Sequence, residues 1–134
     1  MHDHIAYAAG RLGAADSLPS LLAAAIDGLE LVERAATALT DPSRGPVRPG
    51  LAAALAEATQ AWWALSAAPS VRSPETGCPK RSGGVRETVD ALSRFSLQLT
   101  EALVSATSRT LDPADRVACL QAARHLARVH AVLN

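Results

Sequence analysis

Apolar residues recur along this chain at steps of three and four, the spacing of one face of an α-helix. Leu18, Leu22, Ile26, Leu29, Val32, Ala36 and Leu39 form one stripe and predict a helix over 18–40. Leu51, Leu55, Ala58, Trp62 and Leu65 predict a second over 50–67. Val85, Val89, Leu92, Leu99, Leu103 and Ala106 predict a third over 85–109, and Cys119, Ala122, Leu126, Val129 and Leu133 a fourth over 113–133. A shorter helix is expected over 3–14, its end weakened by Gly10 and Gly13.

The boundaries carry their own signals. Ser17 precedes the first long stripe as a candidate N-cap, with Pro19 tolerated in the first turn. Asp112 as N-cap, Pro113 at the first helical position and Asp115 in the first turn mark another helix start. Six of the eight prolines fall in "DPSRGPVRPG" (41–50) and "APSVRSPETGCPKRSGG" (68–84), so linkers are expected at 41–49 and 68–84. The pattern therefore predicts an all-α fold, a four-helix-bundle-like single domain over 1–134 with a short extra N-terminal helix and two Pro/Gly-rich linkers. The short turn at 110–112 makes its two helices antiparallel. The 68–84 linker could reach about 55 Å when extended, twice the length of the helix before it, which leaves the order of the helices open.

Composition sharpens this picture in one respect. Alanine and leucine dominate, while the aromatic residues are two Trp, one Tyr and one Phe. Alanine burial yields little per residue, so Leu, Val and the two tryptophans are expected to supply most of the core energy. Those tryptophans stand side by side in "QAWWALSAAP" (60–69). Neighbours on a helix point about 100° apart, so one packed face cannot hold both rings alike. Trp62 lies on the apolar stripe and is expected in the core. Trp63 lies roughly 120° from the stripe's centre, on a side shared with Ala52, Ala56, Thr59 and Ala67. Glu57 is the only charge between residues 50 and 67.

A helix this apolar all round is normally covered on more than one side. Three covers are open: the N-terminal helix or long linker folded over Trp63, a second copy of the chain meeting the alanine-lined surface, or a ligand in a Trp-walled cavity.

Charge narrows the partner classes. The formal net charge is zero and the pI about 6.9, whereas general affinity for nucleic acid or an anionic membrane surface needs excess Lys and Arg. The opening "MHDHIAYAAG" lacks a basic region followed by an apolar one, so no secretory signal is expected. No uncharged stretch reaches the length of a spanning helix. Cys78 and Cys119 do not compose a disulfide framework, and a reducing, cytoplasmic setting is expected. Lys80 is the only lysine beside many arginines, as a GC-rich bacterial coding sequence would give.

Candidate chemistry is sparse. His2 and His4 are two apart and point to nearly opposite sides of a helix; His125 and His130 flank the last stripe about 140° apart. Neither pair composes a metal site, and no metal or cofactor is expected. The 68–84 loop holds Cys78, Lys80, Arg81 and Ser82 just before a helix start, an anion-binding or reactive-thiol arrangement that equally describes an ordinary turn. Ser96, Thr100 and Thr107 could orient a ligand, though such hydroxyls commonly bond the carbonyl one turn back. Arg86, Asp90 and Arg94 have the spacing of a solvated ion-pair ladder. Paired carboxylates in an apolar setting, which acid–base catalysis needs, are not evident. The expectation is a non-enzymatic module acting by protein–protein contact, homodimeric through the 50–67 helix, with regulatory or accessory character. Its alternative is a bundle that binds a small apolar ligand in a Trp-lined pocket.

Overall fold

The computed structural model describes residues 1–44, 50–70 and 84–134, and among them every regular element is helical. The helices are α1 (His2–Gly13), α2 (Leu18–Thr40), α3 (Leu51–Ser66), α4 (Val85–Arg109) and α5 (Pro113–Leu133). No end departs from the sequence expectation by more than one residue. A turn of 3-10 helix, Pro42–Arg44, is the one element that the proline-rich pattern did not announce. It follows an Asx turn, in which Ser43 donates from its backbone (3.0 Å) and hydroxyl (2.7 Å) to the Asp41 carboxylate.

The helix starts are built as their residues dictate. The Ser17 hydroxyl accepts from the Ser20 backbone while Ser20 reaches back to the Ser17 N–H, a reciprocal cap that satisfies two otherwise orphaned donors. Asp112 accepts from Ala114 N at 2.8 Å, and Pro113 supplies a first turn that needs no N–H.

α2, α3, α5 and α4 close a ring in that order, each packing on the next, and α1 lies across α2 and α4. Every neighbour in the ring is antiparallel. Thr59 meets Glu33 while Trp62 and Trp63 lie by Glu30, so α3 runs against α2. Glu57 meets His125 while Gly50 lies by Val132, so α5 runs against α3; Ser93 meets His130 and Thr110 meets Asp115, so α4 runs against α5. α3 and α4 are thus diagonal and parallel. The end of α3 and the start of α4 stand at opposite ends of the bundle, the separation that a long 68–84 linker allows.

The core is aliphatic with one ring in it. Leu22, Leu29, Leu65, Leu92 and Leu103 are buried completely, and Phe95 is the largest fully buried side chain. This corrects the expectation about the tryptophans: Phe95 supplies the aromatic bulk, Trp62 is only half-buried and Trp63 is exposed. Val85, expected on the α4 stripe, is also exposed, and burial on α4 begins at Thr88 and Val89. Arg86, Asp90 and Arg94 are all exposed and pair neither with one another nor with other described residues, so the expected ladder is absent there.

Candidate functional site: the outer face of α3

The buried line of α3 is Leu51, Ala54, Ala58, Ala61 and Leu65. Its centre is rotated from the stripe that the large residues suggest, which moves Trp62 to the edge of the core. Trp63 then lies roughly 160° from that centre, pointing straight outward. It is 63% exposed, beside exposed Ala52, Ala56 and Ala67, with Thr59 half-buried at the margin. The structure thus gathers the expected face residues on one side of α3 and adds Ala53 and Gln60, also exposed. α1 does not cover this face, since it packs on α2 and α4. The expected loop site at Cys78, Lys80, Arg81 and Ser82 lies outside the described residues.

The outer face is uncharged because the one charged residue of α3 turns sideways. Glu57 meets His125 Nδ1 at 2.5 Å and Arg128 at 3.3 Å, both on α5. The His125 hydrogen bond, with help from Arg128, outweighs partial burial and lowers the Glu57 pKa below the usual carboxylate range. Further along the same seam, towards the start of α5, Asp115 is fully buried. Burial pushes its carboxyl up, but donors from the Ser70 hydroxyl (2.5 Å), the Ser70 backbone (3.1 Å) and Thr110 (3.0 Å) prevail, and its pKa lies below the ordinary value.

Two grooves flank Trp63. On the α2 side, Glu30, Glu33, Arg34, Thr59 and both tryptophans line an open groove of about 360 Å³. The indoles meet edge to face with centroids 5.1 Å apart and planes at 86°. On the α5 side, Ala64, Ala67, Pro113, Val117 and Gln121 line an apolar groove of about 370 Å³. Glu30, Glu33 and Arg34 are the charged residues of the second half of α2 that face this groove. Nothing in a single sequence says which helix they meet.

The remaining polar groups serve the scaffold. Ser96, Thr100 and Thr107 donate to carbonyls of Leu92, Ser96 and Val104 on their own helix. His130 Nδ1 stands 2.9 Å from the Ser93 hydroxyl, and Asn134 donates to that same hydroxyl at 3.0 Å. Ser93 is buried, so this serine–histidine pair clasps α4 to α5 without offering a nucleophile to solvent. Cys119 is buried on the core stripe; burial, and then the charge of Asp115, push its thiol up to about 11, the condition of an inert thiol. No group of three or more His, Cys, Asp or Glu residues that could hold a metal ion occurs among the described residues, and no described helix is long and apolar enough to cross a membrane. Comparison with protein-family models, curated proteins and solved structures finds no match to this chain.

Proposed function

We propose that this protein is a non-enzymatic helical module that works by protein–protein contact, pairing with a second copy of itself through the outer face of α3. The observation that carries the reading is Trp63, a large apolar ring 63% exposed at the centre of an uncharged helix face. A soluble bundle gains nothing from such a ring in water, and Trp is enriched where interfaces are buried. The alanines around it let a second helix approach closely.

Charge supports a second copy as the partner. Glu30 and Glu33 flank the uncharged strip on the α2 side, while Arg128 of α5, exposed and reaching Glu57 at 3.3 Å, stands at the other flank. A two-fold axis along α3 sets each acidic flank against the partner's basic one, as an isologous interface requires. A regulatory or accessory role fits a module with this face and no catalytic constellation among its described residues.

Sedimentation velocity tests the pairing. At tens of micromolar, the protein is expected to sediment as a dimer, and Trp63→Glu as a folded monomer. A monomeric parent, or a variant that still pairs, overturns the reading. Because Trp63 is outside the core, the substitution leaves the bundle intact, which circular dichroism checks.

A further inference from the structure

We propose that the groove between α2 and α3 is a binding site for a small organic cation of the quaternary ammonium class. The groove shares Trp63, Glu30 and Glu33 with the surface proposed for pairing, but the proposal rests on the geometry of the groove's walls and does not need a second copy. Its volume, about 360 Å³, lies at the lower end of the range of small-molecule sites.

The walls combine two kinds of surface that few ligands satisfy together. Trp62 and Trp63, held edge to face, present indole surface at a right-angled corner. Glu30 and Glu33 add two carboxylates from α2 against the single guanidinium of Arg34, which leaves the groove net negative. Arg34 makes no ion pair with either glutamate among the described residues. Thr59 donates to Glu33 Oε1 at 2.9 Å, fixing that carboxylate at the margin of α3 while its second oxygen keeps its acceptor capacity.

A neutral apolar ligand would strip water from the carboxylates and give them no partner, and an anion would meet two like charges. A compact metal ion would leave the indole faces unused. An alkylated ammonium answers both surfaces, because its positive charge is attracted to the π face and to the carboxylates while its methyl groups pack on the rings.

Both tryptophans belong to the groove, so their emission reads its occupancy. Titration with tetramethylammonium chloride is expected to give a saturable fluorescence change that sodium chloride at equal ionic strength does not give. The Glu30→Gln, Glu33→Gln double variant should weaken the apparent affinity about fivefold or more, and Arg34→Gln should strengthen it by removing a competing charge. Arg34 is exposed and Glu30 and Glu33 are half-buried, and circular dichroism checks that helix content is kept. A sodium chloride response of the same size, or affinities unchanged in both variants, overturns the proposal. Sedimentation at saturating tetramethylammonium separates the two readings: the cation site stands or falls on the emission change, the pairing on the mass.

Discussion

Phe95 shows how much one side chain contributes to a core in which no other described aromatic ring is fully buried. It is 2% exposed and lies where α4 crosses α2. The crossing is close because residue 28 is glycine: a Cβ there would stand 3.0 Å from both Phe95 Cζ and Leu99 Cδ2, tighter than ordinary packing tolerates. Removing the ring leaves a cavity that small neighbours cannot collapse to fill. Phe95→Ala is therefore expected to cost about 3–5 kcal/mol in urea unfolding, with an unchanged denaturant slope. A loss under about 1 kcal/mol would mean that the core closes around the gap. The role of Phe95 was legible in the chain, since Leu92, Phe95 and Leu99 keep the steps of three and four. Rarity alone points equally to the tryptophans, which the structure leaves half-buried and exposed.

At the scale of elements, the ends of the helices were legible because capping chemistry is local. Ser17 and Asp112 act as caps over two or three residues of chain, without reference to any other helix. The rotation of α3 was not legible, and the reason is alanine. Ala54 and Ala61 are buried while Ala52 and Ala56 are exposed, so the same side chain stands on both faces and offers no contrast to read. The start of α3 depends instead on Gly50, whose φ of 93° lies in the left-handed region. A Cβ there would meet Val132 Cγ1 at 2.7 Å and the Val132 carbonyl oxygen at 3.2 Å. Gly50→Ala combines backbone strain with displacement of the last turn of α5, and is expected to lower stability by about 2 kcal/mol or more. Thermal denaturation checks this; a variant as stable as the parent would show that the turn relaxes into another conformation at no cost.

The order of the helices around the ring is the property least written into the pattern, because it is decided by groups that meet only after folding. Glu57 finds His125 and Arg128 across 68 and 71 residues of chain, and Asp115 finds Ser70 across 45. Both carboxylates lie along the seam that holds α3 to α5, so the helix carrying Trp63 is fastened by acids whose pKa values are depressed on folding. A depressed carboxyl contributes stability that is fully present above its unfolded pKa and is lost as the pH falls through the lower folded value. The thermal midpoint is therefore expected to hold near neutrality and drop below about pH 4, the carboxylate range. Glu57→Gln combined with Asp115→Asn should start less stable at neutral pH and lose less on acidification, so the two curves converge. Parallel curves, or a parent midpoint that stays flat to about pH 3, would show that the α3–α5 seam is held by apolar packing alone. Convergence would locate the acid sensitivity of the whole bundle in the seam that orients its exposed tryptophan.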